Sequence, residues 1–157
     1  MTISPSEDGG FVLQLSRRER ALLRTVLELY PLIPASHHRL SRTADPGQIA
    51  ADQKLLEEAL TAQKQENHRH LRTWLAGEGG FKPRRGGFTL TLNGPQLDWF
   101  LQVLNDVRVG SWLKLDCPDE RNGRPVHLTP ANARYYFAMQ YCGMVQSLLL
   151  QGMNGDA

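Results

Sequence analysis

Histidines and a glutamate are the side chains of this sequence that could bind a metal. His37 and His38 are adjacent, and Glu66, His68 and His70 lie close together further along the chain. A functional zinc site needs at least three ligands, and the sequence contains neither His-Glu-x-x-His nor Cys-x-x-Cys. On a regular helix, residues two apart point about 200° away from each other, so His68 and His70 would not share an ion. We therefore expect solvated histidines, with no metal and no cofactor.

Nucleophilic catalysis finds as little support in the sequence. No Gly-x-Ser-x-Gly pattern is present, and the glycines near residues 77–80 and 86–87 match no phosphate-binding loop. Cys142 lies among apolar residues of a predicted helix, which indicates an inert core thiol. Cys117 stands beside Asp116 and Asp119, whose negative charges disfavour an activated nucleophile. The sequence predicts no catalytic residue, and an enzyme is the third alternative for its function.

The composition is that of an ordinary globular chain. Its 157 residues predict one domain over 1–157, and 41% hydrophobic with 22% charged residues argues against disorder. No apolar run reaches the roughly 20 residues that a membrane helix needs, and the first residues lack the apolar core of a secretory signal. Two cysteines favour a reducing compartment. A net charge of +2 singles out neither nucleic acid nor anionic lipid. We expect a cytoplasmic protein without a membrane partner.

Two similar segments organise the predicted fold. Gly10–Ser16 and Gly87–Asn93 both read Gly-Phe-x-Leu-x-Leu followed by a capping residue, although apolar runs also resemble each other by chance. Ser16 and Asn93 are good N-caps, and Ser16 with Glu19 makes a capping box. The sequence predicts a mostly α (α+β) fold, a strand–helix–helix unit duplicated over about 10–76 and 87–152. Its predicted core resembles a four-helix bundle beside a two-stranded antiparallel sheet. Predicted helices span 17–30, 47–76, 95–115 and 130–152, before a tail at 153–157.

Two of these helices have unusual patterns of polarity. The last helix has apolar residues around roughly 240° of its circumference, which indicates either a central position or cover by a second subunit. We therefore predict a homodimer through the 130–151 helix. In the helix 47–76, the segment 63–72 is polar nearly all round. This segment either stands clear of the body or lines a wet groove.

The third helix resembles a known family. Its residues Gln96–Leu115, reading Trp-Phe-Leu-Gln-Val-Leu-Asn-Asp-Val-Arg from Trp99 to Arg108, are similar to a domain of unknown function common in actinobacteria. The first helix and the aromatic-rich last helix also resemble that family. Its genes often lie near a Clp-protease adaptor gene, which implies a regulatory or proteostasis role and transfers no catalytic residue.

Three polar residues of the third helix are predicted to be structural. Asn105, Asp106 and Arg108 lie within four residues of one another, and Arg108 falls at the edge of the apolar stripe of the helix. An arginine in such a place usually lays its stem on the core and pairs its guanidinium with a carboxylate from a neighbouring helix. We expect that arrangement for Arg108.

Basic residues are predicted to meet at the start of the first helix. If strands 11–15 and 88–92 run antiparallel, Arg84 and Arg85 approach Arg17 and Arg18, with Lys82 nearby, at a helix N-terminus that favours anions. At the other end, Glu7 and Asp8 would approach the start of helix 95–115. The four arginines are a hypothetical anion-binding or partner-binding site. The leading prediction for function is a non-enzymatic interaction or regulatory module with an unknown protein partner, and a weak nucleic-acid or anion binder is the alternative.

Overall fold

The computed structural model describes residues 1–6, 9–37, 46–76, 80–119, 122–123 and 125–153, apart from the side chains of 46–48. The strands are β1 (Thr2–Pro5), β2 (Phe11–Ser16), β3 (Phe81–Arg84) and β4 (Gly87–Leu92). The helices are α1 (Arg17–Leu27), α2 (Pro46–Ala76), α3 (Gly94–Lys114) and α4 (Ala133–Met153), and a short 3-10 helix spans Ala35–His37.

The sheet has four antiparallel strands in the order β1-β2-β4-β3, so the prediction of two strands was wrong. The predicted pairing of the two central strands is confirmed, with Leu13 opposite Leu90 and Ser16 opposite Gly87. The two missed strands are edge strands, and each contains a proline, Pro5 and Pro83. Proline is tolerated at sheet edges but weakens the sequence signal of a strand.

The helices cover one face of the sheet. Leu13, Leu15, Leu90 and Leu92 point into the core, whereas the alternate residues of the central strands, such as Gln14, lie on the open side. Helices α1, α3 and α4 contact one another, and α2 adds buried residues only in its last turns. This sheet-backed arrangement replaces the predicted four-helix bundle, because the inner face of a four-stranded sheet takes up much of the apolar surface of the helices.

Local capping signals set where α1 and α3 begin. Ser16 accepts a hydrogen bond from the Glu19 N–H and donates its own N–H to the Glu19 carboxylate, so the predicted capping box is confirmed. Asn93 forms the equivalent box with Gln96. Each box satisfies two backbone donors that a helix start would otherwise leave unpaired.

Helix α2 joins the body mainly through its C-terminal half. None of its residues from 49 to 70 is buried, and its first fully buried side chain is Leu71. The polar segment 63–72 lines a cavity of about 250 Å³ against α3. Of the two alternatives predicted for this segment, lining a groove is therefore the one that the structure shows. We call residues 49–62 the α2 arm.

The predicted duplication is only approximated by the structure. Each half has the order hairpin, helix, helix, and the strand order is symmetric about the β2–β4 boundary. The second helices differ, because α4 packs along α3 whereas α2 reaches the core only at its end. In the part of the chain that the structure describes, no helix is long and apolar enough to cross a membrane.

A candidate interaction groove between α3 and α4

An open groove of about 580 Å³ lies between α3 and α4. It runs along the outer side of the two helices, away from the sheet. Its lining mixes apolar and polar side chains, which are Asn105, Arg108, Val109, Trp112, Met139, Gln140, Gly143, Met144 and Ser147. Grooves that bind ligands or peptides combine an apolar lining with a few placed polar groups, and this groove has that character.

Arg108 is exposed and lines the groove on the α3 side. A β-carbon at Gly143 would make an ordinary van der Waals contact of 3.5 Å with the Arg108 Nε, so the guanidinium lies against α4 at this glycine. Arg108 Nη1 donates to Gln146 Oε1 at 3.2 Å. The expected carboxylate partner was therefore wrong: within the described ranges, no carboxylate pairs with Arg108. Its guanidinium is exposed and has no charged partner among the described residues.

Large apolar side chains surround Arg108 and stay accessible. Trp112 is 38% exposed and Met144 is 45% exposed, and further along α4 Phe137 and Leu150 are also exposed. The Trp112 Nε1 donates to the Pro118 carbonyl at 3.0 Å, which fixes the indole at the end of the groove. Apolar side chains grouped in this way mark an interaction surface more often than the same residues scattered singly.

Asp106, on the other side of α3, holds the loop that follows α1. Its Oδ1 accepts the backbone N–H of Leu32 at 2.6 Å and of Ile33 at 3.2 Å, and its Oδ2 pairs with the Lys64 ammonium of α2. The carboxylate is buried, so these three donors replace the water that it lost on folding. Asn105 is exposed between this cluster and the groove and lines cavities on both sides.

The strand register brings the hypothetical anion site together in part. Ser16, just before Arg17 and Arg18, pairs with Gly87, and Gly87 pairs on its other side with Arg84. Two strand spacings of about 4.8 Å therefore separate Arg84 from the start of α1. All four arginines are exposed, and Arg84 Nη1 donates to the side-chain oxygen of Gln14.

Lys82 does not belong to that site. It lines a different cavity, with Asn93 and Gln96 at the start of α3, so its predicted approach to the first helix was wrong. The reason is that β3 runs antiparallel to β4, which carries Lys82 towards the opposite end of the sheet from Arg84. Glu7 and Asp8, predicted near the start of α3, lie outside the described residues.

The candidate metal ligands and nucleophiles lie apart. His70 stacks on Trp99 with 4.4 Å between ring centroids, a structural contact that the sequence did not suggest. Within the described ranges, no three histidine, cysteine or acidic side chains stand close enough to hold an ion, and His38 is outside them. Cys142 is buried, and burial raises the pKa of its thiol to about 12. Cys117 is half-buried after α3.

Sequence reasoning missed the groove itself. Gly143 stands in the middle of a predicted helix, and an isolated glycine there is a signal of close packing or of a functional reason. The apolar surface predicted for the last helix includes Met144, but nothing in the sequence pairs it with Trp112 of α3. The apolar pattern of each helix can be recognised in the sequence. Which face of α3 lies against which face of α4 depends on how the two helices pack in the fold.

Comparison of the chain with protein-family models, curated proteins and solved structures finds no match. The groove and the arginine site are therefore the features from which a function can be inferred.

Proposed function

We propose that this protein is a non-enzymatic interaction module that self-associates through the exposed face of α4. The observation that carries the proposal is the set of accessible apolar side chains on and beside the α3–α4 groove, centred on Met144. Burying them removes apolar surface from water, and that is the main favourable term in protein association.

The size of the apolar surface supports an interface. Trp112, Phe137 and Met144 expose between 38% and 45% of their surface. Together this is roughly 270 Å² for side chains of this size, close to the few hundred Å² at which exposed patches are often functional. A standard interface covers about 800 Å² per partner, so the patch would supply its apolar centre with a polar rim. A closed two-fold dimer is the commonest way to cover such a face.

Light scattering on the whole chain at micromolar concentration tests the proposal. The wild type is expected at twice the chain mass, and Met144→Glu at the chain mass, because removing a carboxylate from water on association is far more costly than removing a methionine side chain. Thr91→Glu is the matched control, since it adds the same charge on the open face of the sheet. Circular dichroism must show the same helix content for all three. A wild-type mass of one chain would overturn the proposal.

The cellular setting is proposed from the resemblance to the actinobacterial family. A gene neighbourhood containing a Clp-protease adaptor favours regulation or proteostasis, and the low cysteine content favours the cytoplasm. The unknown protein partner would then be a component of that machinery. Affinity capture from the native cell, compared between the wild type and Met144→Glu, would identify it.

Weak anion or nucleic-acid binding is the second candidate, supported by the register that places Arg84 beside the start of α1. Arg17, Arg18, Arg84 and Arg85 would contact phosphates without reading sequence. In a salt-titrated binding assay with duplex DNA, Arg84→Glu combined with Arg85→Glu should weaken binding and flatten the salt dependence, by about one unit of slope for each lost contact. Equal binding by the wild type and this variant would exclude the site.

A further inference from the structure

We infer that the occupant of the α3–α4 groove is the α2 arm of a second copy of this chain. The inference rests on the proposed self-association and names the contact that would produce it. In the described structure the Leu55 face of the arm and the groove are both exposed, and their apolar and charged groups are complementary.

The α2 arm has a face suited to a groove. Leu55 is 64% exposed, the most exposed of the large apolar side chains described. The residues four before and four after it on the same face, Ala51 and Ala59, are small, and both are exposed. A leucine between alanines forms a knob that lets a helix approach closely. The 14 residues of the arm extend about 21 Å, whereas the groove follows α3 from Asn105 to Trp112 for about 11 Å, so the arm spans it.

The charges of the arm and the groove are opposite. Glu58 lies one turn from Leu55 and is exposed, and its ion pair with Lys54 is long at 3.9 Å and open to water. Such surface pairs contribute little and are easily exchanged. In the described groove, Arg108 has only the neutral Gln146 side chain as a partner. With Leu55 among Trp112 and the methionines, Glu58 is the carboxylate that would meet the guanidinium.

A two-fold axis would make the contact reciprocal. The arm of each copy enters the groove of the other, so both contacts form at once and the assembly closes as a dimer. Direct packing of groove against groove would instead bring two Arg108 side chains together, and like charges at an interface are unfavourable. Charge complementarity therefore favours the arm over a second groove as the occupant.

Charge reversal tests this arrangement by sedimentation equilibrium of the full chain. Arg108→Glu and Glu58→Arg should each raise the dissociation constant of the dimer by about a hundredfold, because each replaces an opposite-charge contact by a like-charge contact. Combining both changes in one chain should restore the dimer. Mixing the two single variants should also produce a heterodimer, since its two contacts then both pair opposite charges.

Glu66→Arg provides the matched control, because Glu66 lies on the same helix and is 64% exposed, against 63% for Glu58. It should leave the dissociation constant unchanged. If the wild type is dimeric and Met144→Glu is monomeric but the charge reversals have no effect, the arm is the wrong occupant and self-association stands. Single variants that weaken the dimer without rescue by the double variant or the mixture also overturn the contact. A monomeric wild type overturns both proposals.

Discussion

Replacement of Asp106 by alanine should destabilise the fold by about 4 kcal/mol, because one buried carboxylate serves three donors. Two are backbone N–H groups of the loop after α1, and the third is the Lys64 ammonium of α2. Without the carboxylate, the two loop donors and the ammonium lose their common acceptor at a largely buried position. Breaking a buried ion pair by removing one member costs about 3–5 kcal/mol.

The free energy of unfolding that Asp106→Ala loses can be divided between the charge of the carboxylate and its hydrogen bonds. Asp106→Asn keeps an acceptor for the loop but not the charge, so about 2 kcal/mol is expected, within the usual range for a bond to a charged group. Lys64→Met leaves the two backbone bonds in place. The double variant Lys64→Met with Asp106→Asn should be more stable than the sum of the single effects predicts, by about 1–3 kcal/mol.

Urea unfolding followed by circular dichroism and tryptophan fluorescence measures these differences. A loss of about 4 kcal/mol should lower the Tm of a chain of this size by about 8–16 °C. Asp98→Ala is the control, because Asp98 is exposed on the same helix and should change stability by less than about 0.5 kcal/mol. An effect of Asp106→Ala as small as that of the control would refute the reasoning about this cluster.

Two further predictions concern the ends of the central strands. The ammonium of Met1 and the N–H of the N-cap residue bond to the Glu19 carboxylate and lower its pKa to about 2. The ionised Glu19 carboxylate is expected to stabilise the fold by about 1–2 kcal/mol after screening by water. This contribution should be complete above pH 4.5 and lost as the pH falls towards 2, so the free energy of unfolding of Glu19→Gln should depend less on pH between these values. A β-carbon at Gly87 would lie 2.1 Å from the Leu15 carbonyl oxygen. Gly87→Ala should therefore cost about 3 kcal/mol in the same urea assay, whereas Gly94→Ala, with open space around it, should be nearly neutral; equal stabilities would contradict the steric argument.

Local sequence signals predicted the parts of the fold that depend on near neighbours. The boxes at Ser16 and Asn93 join residues three apart, so their types alone indicate where α1 and α3 begin. The antiparallel pairing of the central strands followed from two similar apolar alternations. The edge strands were missed because they owe their conformation to pairing with β2 and β4, and Pro5 and Pro83 weaken their own propensity.

The candidate groove depended on contacts that no local pattern contains. Arg108 and its partner Gln146 are 38 residues apart, and Asp106 meets the Leu32 loop over 74 residues. The sequence predicted a carboxylate partner for Arg108, but the residues of α4 that lie beside its guanidinium are Gln146 and Gly143. Which polar residue faces which partner depends on how the helices rotate on the sheet, and that rotation is decided by the whole core at once.

The prolines of β1 and β3 also limit how this protein can assemble. A sheet of four strands has two open edges, where unpaired N–H and C=O groups invite strands of other molecules. Here each edge strand contains a residue that has no N–H to donate, and the β3 edge also carries Lys82 and Arg84. Growth of the sheet from molecule to molecule is therefore hindered at both borders. Amyloid-like stacking is disfavoured, and the helical side is left as the surface through which finite assemblies can form.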